Sequence, residues 1–322
     1  MSIDIQYLLL LQNLRIATGG VFDELLNSIS KFAVDIMPFL PYIIFWCVDK
    51  KWGYRFIGTL WSGELVNGIL KLTVCAYRPW IRSDLIEPAG DSKVAATGYS
   101  FPSGHTMCAT TMYGTTCVWQ KDKCRWVAVL CAVMILLTGF SRNFLGVHTP
   151  QDVIVGFLES CVLIYLAGVV GKRIEGNDRL IDILTLSGVF VVIAVLIYII
   201  FKPYPMDYVD GRLLVDPQVM MVDTFKACGG FLGLLGGSYI ERHYIRYEIP
   251  RGADNLALLS CIGFAVVFAW KEWFASATLT VIFGNQWGNL LARMIMVIFA
   301  IVVWPMVIRK YCSKGASQKA ET

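Results

Sequence analysis

Long apolar runs separated by short polar stretches dominate the chain. Counting runs long enough to cross about 30 Å of hydrocarbon predicts nine membrane helices, at roughly 32–48, 54–76, 104–120, 125–143, 151–171, 180–201, 223–240, 253–275 and 288–309. The first is short and interrupted by Asp35, Pro38 and Pro41. Residues 1–28 differ: MSIDIQYLLLLQNLR has an acid where a secretory signal carries positive charge, and its apolar run is too short to span. It reads as an amphipathic helix lying at the interface. The pattern divides the chain into this segment, a core over 29–201 and additional C-terminal membrane helices over 202–322.

Composition agrees. Of the 322 residues 56% are hydrophobic and 16% charged, against about 25% charged in soluble domains; the mean hydropathy is +0.59. The fold class is therefore all-α, a polytopic bundle in the membrane. The net charge of +4 does not point to nucleic acid, because the basic residues are scattered among short loops. The 10 cysteines form no CxxC pair and sit mostly in apolar runs, as small buried hydrophobes do.

The basic residues instead give an orientation. Lys50, Lys51 and Arg55, Lys121, Lys123 and Arg125, Lys172, Arg173 and Arg179, Arg242, Arg246 and Arg251, and the tail with Arg309 and Lys310 all fall on one side. Lysine and arginine in short loops stay cytoplasmic, which makes the N-terminus extracytoplasmic and the C-terminus cytoplasmic. The two long opposite loops, about 77–103 and 202–222, are rich in Pro, Gly and Asp.

Three polar stretches converge on that opposite face. KLTVCAYRP (71–79) carries Lys71 and Arg78, YSFPSGHT (99–106) carries Ser103, Gly104 and His105 at a helix start, and SRNFLGVHTPQD (141–152) carries Arg142, His148 and Asp152. Each has a bland reading: snorkelling cations, a turn at PSG, and a helix start with Thr149 as N-cap and Pro150 at the first helical position. Together they would place three cations, two of the 3 histidines, a serine, a glycine and an acid on one face in unrelated roles. One shared site is simpler.

Three cations, a hydroxyl and the amides of a helix start form a socket for a phosphate. Asp152 is the only carboxylate inside the motifs, and no HExxH, paired-aspartate or Cys/His cluster accompanies it. The site is expected to work without a metal or other cofactor, with the cations supplying charge stabilisation. One turn separates His148 from Asp152, so the carboxylate can orient one imidazole nitrogen and leave the other as a nucleophile toward phosphorus. His105 is placed to protonate the leaving alkoxide and then to activate water.

These residues resemble the signature motifs of the type 2 phosphatidic acid phosphatase superfamily: K-x6-RP at 71–79, PSGH at 102–105 and SR-x5-H-x3-D at 141–152. The group includes lipid phosphate phosphatases, phosphatidylglycerophosphate and undecaprenyl diphosphate phosphatases, sphingosine phosphate phosphatases, glucose-6-phosphatase and vanadium haloperoxidases. The resemblance covers about residues 40–172 and implies that Lys71, Arg78, Ser103, Gly104 and Arg142 bind phosphate, that His148 is the nucleophile, His105 the acid and Asp152 its orienter. The family's usual core has six membrane helices, so the segment after 202 lies outside what the motifs speak for.

The leading reading is an extracytoplasmic phosphatase of a phosphorylated lipid held in the bilayer. A soluble phosphoester such as a sugar phosphate is the alternative, with the loop 202–222 and its Asp207, Asp210 and Asp216 as a cap or as plain solvated turn residues. A non-enzymatic anion transporter would instead invoke Glu64, Glu159, Lys226 and the Lys271–Glu272 pair, since ionisable groups at membrane depth are functional by default. The motifs specify neither the group that carries the phosphate nor an oligomeric state. Lack of an N-x-S/T sequon and of a KDEL-type tail leans toward a bacterial plasma membrane.

Overall fold

The computed structural model describes residues 1–90, 92–96, 98–209, 211–250, 252–271 and 278–319. Asp210, Arg251 and Glu272 lie outside them. The order is α1 (Ile3–Ala17), α2 (Asp23–Asp35), α3 (Leu40–Ile43), α4 (Lys50–Val74), α5 (Pro79–Arg82), α6 (Ser92–Ala95), α7 (Gly104–Gln120), α8 (Arg125–Phe144), α9 (Pro150–Ile174), α10 (Asp178–Phe201), α11 (Pro217–Ile240) and α12 (Leu256–Ala269), followed by helices at Leu279–Phe283, Asn285–Ile298 and Trp304–Lys319. Among the described residues the strand content is one hairpin, β1 (Tyr208–Val209) with β2 (Arg212–Leu213). The all-α membrane class is as expected.

Six helical stretches are long and apolar enough to cross a membrane: Asp23–Val48, Arg125–Phe144, Pro150–Ile174, Asp178–Phe201, Pro217–Ile245 and Asn285–Cys312. The other three expected spans fall on α4, of 25 residues but studded with charged and polar side chains, on α7, of 17 residues, and on α12, of 14. Part of the 253–275 expectation lies outside the described residues. In the most apolar stretches of α9 and α10 only 11% and 17% of residues are buried within the protein. Leu158, Val162, Tyr165, Phe190 and Ile197 point outward, as lipid-facing side chains do.

The chain forms two compact units. The first comprises Met1–Pro38, Ser62–Leu166 and Phe201–Thr224. In it α2 lies against both α7 and α8, and Ala33, Ala109, Tyr113, Cys131 and Ile135 make their common core. Small residues at 33 and 109 let these backbones approach closely, the usual solution where lipid supplies no hydrophobic drive. α1 buries Ile5 and Leu8 against Ile86. Its polar residues tie down the same loop: Asp4 pairs with Arg82 at 2.8 Å, Gln12 bonds Leu85 O and Glu87 N, and Arg15 donates to Glu87 O at 2.6 Å.

The second unit comprises Phe39–Trp61, Ala167–Ile200 and Phe225–Thr322. Glu241, fully buried, accepts from Lys50 at 2.6 Å and from Tyr54 at 2.8 Å, while the Trp46 indole donates to Ala300 O at 2.7 Å. The remaining histidine, His243, bonds Asp182 here at 3.1 Å.

Candidate active site

All eight residues singled out from the sequence lie in the first unit. The end of α8 sets the geometry. Gly146 adopts φ +72; its N–H bonds Asn143 O and that of Val147 bonds Arg142 O at 3.1 Å. This is a Schellman stop, which needs a residue free of a Cβ penalty at the left-handed position. It leaves Arg142 in the last turn of the helix and turns the chain so that His148 emerges beside it, with its backbone carbonyl held by Asn143 Nδ2 at 2.9 Å.

The next helix begins at once. Thr149 is the N-cap of α9: its Oγ1 accepts from Asp152 N at 3.4 Å while its own N–H donates to Asp152 Oδ2 at 2.8 Å. This is the reciprocal capping arrangement, with Asp in the third helical position. Asp152 Oδ2 also accepts from the Ser100 hydroxyl and faces His148 Nδ1 at 3.3 Å. One oxygen thus gathers three donors, and the carboxylate, 3% exposed, has little freedom to move.

Arg78 closes the other side of the imidazole. Its Nη1 lies 2.9 Å from His148 Nε2 and 2.8 Å from Val147 O, and its Nε donates to Gly98 O at 3.2 Å. An arginine carries only donors, so Nε2 is the acceptor and the ring proton sits on Nδ1, facing Asp152. Burial, and then the Arg78 guanidinium, hold the His148 imidazole well below the usual histidine range, against the opposing pull of Asp152. Burial pushes Arg78 down to about 10, which leaves it charged at neutral pH.

Ser103 caps α7, its hydroxyl accepting from Thr106 N at 3.3 Å, and its own N–H donates to Asp152 O at 2.9 Å. The starts of α7 and α9 are thereby tied together. Gly156 permits this: a Cβ there would sit 2.7 Å from Ser103 O. At Gly104 a Cβ would lie 3.9 Å from Lys71 Nζ and 3.6 Å from Asn67 Oδ1, so the lysine ammonium hangs over the first turn of α7. His105, half-buried, feels the charges of Arg142, His148, Arg78 and Lys71. Arg142 is 1% exposed and donates through Nη1 to Ser30 at 2.8 Å.

The sequence did not single out Ser100, Ser30 or Asn143. Ser100 lies inside a quoted motif, but a serine two residues before a proline carries no signal of its own. Among the acids weighed for transport, Glu159 bonds Asn67 Nδ2 at 2.6 Å and Glu64 lies in the field of Lys71, so both belong to the surroundings of this site. In the loop 202–222, Asp207 accepts from the Tyr77 hydroxyl and Asp216 from Gln218 N. Among the described residues no group of three His, Cys, Asp or Glu converges as metal ligands.

The fold and the site together define an integral membrane protein in which buried cations gather around a histidine oriented by a carboxylate. Residues 52–174 match the family model of the PAP2 superfamily. Phosphatidylglycerophosphatase B of Bacillus subtilis (strain 168) is 30% identical over 134 residues, 38% of this chain and 64% of that protein. Undecaprenyl-diphosphatase of Sulfolobus acidocaldarius is 23% identical over 141 residues, 43% of this chain and 66% of that protein. Sphingosine-1-phosphate phosphatase 2 of Mus musculus is 26% identical over 150 residues, 44% and 40% of the two chains. The chain thus spans just under two thirds of the first two relatives. No solved structure matches it significantly.

Proposed function

We propose that this protein is a membrane phosphatase that hydrolyses a lipid phosphomonoester or diphosphate through a phosphohistidine, on the extracytoplasmic face and without a metal. The observation that carries this reading is the array Asp152–His148–Arg78, in which Nδ1 faces a fixed carboxylate and Nε2 faces a guanidinium. The three relatives bear names of phosphatases acting on phosphorylated lipids, and a site built at helix starts suits a headgroup whose tail stays in the bilayer.

A phosphoryl group bound here takes the N–H that Arg78 directs at His148, and the Nε2 lone pair is released toward phosphorus. Lys71, Arg142, Arg78 and the α7 amides around Ser103 and Gly104 stabilise the equatorial oxygens. As the N–P bond forms, the bond from phosphorus to the leaving oxygen breaks, and His105, protonated once the charge of the bound phosphoryl group offsets the cations around it, gives that oxygen a proton. Asp152 stabilises the positive charge on the phosphorylated imidazole. Water then attacks phosphorus, giving its proton to His105; the N–P bond breaks, and orthophosphate leaves with His148 neutral again.

The test is phosphate release by purified protein in detergent, wild type beside His148→Ala, on undecaprenyl diphosphate, phosphatidate, phosphatidylglycerophosphate, sphingosine phosphate and glucose 6-phosphate. Release from a lipid that depends on His148 supports the reading and names the substrate. Turnover of glucose 6-phosphate alone transfers it to soluble esters, and activity that survives in folded His148→Ala removes the phosphohistidine.

A further inference from the structure

Arg142 is a buried cation with an unusual partner. Its side chain has no carboxylate within ion-pairing distance among the described residues, and its Nε has no hydrogen-bond partner there. Among the described residues its one side-chain hydrogen bond runs from Nη1 to Ser30 Oγ at 2.8 Å. Ser30 is 0% exposed and its hydroxyl proton goes to Asn27 O at 2.9 Å, which turns the oxygen lone pairs toward the guanidinium. It stands on α2, before the matched residues 52–174.

The placement of Ser30 is firm. Leu26, Ser30 and Ala33 are the buried positions of α2 and share one face. Ala33 packs against Ala109 and Tyr113, and its carbonyl accepts the Cys108 thiol at 3.3 Å. Ser30 therefore reaches Arg142 from a helix locked to the same α7 whose first turn carries Ser103, Gly104 and His105.

A buried charge is costly unless it is paired. A carboxylate at position 30 would pair Arg142 permanently and cancel the charge offered to an incoming anion. A hydroxyl aims the fork without neutralising it, so the counterion must come from outside. We infer that Ser30 is a positioning residue for Arg142, one that holds the guanidinium for a phosphoryl group while leaving its charge uncompensated. The inference rests on the phosphatase reading for its ligand, but the neutral partner of a buried arginine is an independent observation.

The experiment compares wild type with Ser30→Ala, Ser30→Thr and Ser30→Asp in detergent, reading KM and kcat on the active lipid, the inhibition constant of orthovanadate, and the unfolding temperature. A hydrogen bond to a charged group sets the scale, so Ser30→Ala is expected to raise KM and the vanadate constant by roughly tenfold, with kcat changed less. Ser30→Thr restores both constants. Ser30→Asp weakens vanadate further than Ser30→Ala while unfolding no earlier than wild type, because the carboxylate competes for the guanidinium. Wild-type constants in Ser30→Ala and Ser30→Asp overturn the inference and leave the phosphatase reading standing, as does a loss that merely follows a lowered unfolding temperature. If wild type turns over no substrate, the phosphatase reading fails, and orthovanadate affinity measured directly on the four proteins still decides the role of Ser30. No vanadate binding by wild type overturns both.

Discussion

Arg78 Nη1 stands 2.9 Å from His148 Nε2, so the atom assigned as nucleophile is capped by a cation until a ligand arrives. The contact has two consequences. It fixes the tautomer, and it opposes protonation of the ring, since a proton on Nε2 would point at a guanidinium.

The pH dependence follows from that second consequence. Burial and Arg78 lower the His148 pKa, and a base with a lowered pKa stays neutral at every pH above it. Its protonation therefore removes activity only well below about 6.5, the ordinary histidine value. The acid limb of kcat/KM, which reports the free enzyme, is expected to show no loss assignable to His148 near that value. Arg78→Gln relieves the repulsion and should move that limb upward. A limb near 6.5 in wild type that Arg78→Gln leaves in place would show that the guanidinium does not govern the imidazole.

Asp152 tests the orienting role. Its Oδ2 accepts from Thr149 N and Ser100 and faces His148 Nδ1. Asp152→Asn keeps the shape but removes the charge that stabilises the phosphorylated ring, and kcat should drop by up to about 10⁴-fold, the scale of the same change in a serine protease triad. Ser100→Ala removes one of the three donors and should cost kcat roughly tenfold, since the other two still hold the carboxylate. Steady-state rates separate the pair; equal losses would mean that Ser100 acts on substrate directly.

Chelation addresses where the charge stabilisation comes from. Lys71, Arg78 and Arg142 are assigned that work, and hydrolysis in EDTA is expected to match the rate without it. A rate that collapses in EDTA and returns with Mg²⁺ would transfer the work to a metal. Orthovanadate, added in the absence of EDTA because the chelator complexes it, should inhibit as a mimic of five-coordinate phosphorus.

What was legible in the sequence was local. The spacing of His148 and Asp152 is one helical turn, and the Thr-Pro before the acid is a helix start, so the orienting pair could be drawn from sequence. The helix stop at Gly146 came only with the structure. Ser30 was not legible, because a neutral serine 112 positions from Arg142 leaves no periodicity and no charge to notice. Nor was the length of each span: α7 is apolar enough to be taken for one, yet it begins at the site and ends after 17 residues, while α4 is long but polar. Hydropathy reports how a segment partitions, and it cannot tell a helix buried by protein neighbours, as much of α7 is, from one buried by lipid.

The final prediction concerns the joint that holds the two helix starts together. Ser103 N–H donates to Asp152 O, and this requires α9 to pass so close that a Cβ at 156 would lie 2.7 Å from Ser103 O. That neighbour is backbone at the N-cap of α7 and cannot swing aside as a side chain would. Gly156→Ala must therefore push the two starts apart, moving Ser103, Gly104 and His105 away from His148. A displacement of this kind costs catalysis steeply, about 100-fold for a shift of 1 Å. Gly168 supplies the control: it lies on the same helix with nothing within 4 Å of where a Cβ would stand, and Gly168→Ala also removes a helix-interior glycine, a change worth up to about 1 kcal/mol in the helix's favour. Turnover and unfolding temperature measured on both variants should show a large loss of kcat in Gly156→Ala and wild-type behaviour or slight stabilisation in Gly168→Ala. Full activity in Gly156→Ala would mean that the contact between the two helix starts is not what aligns the histidines.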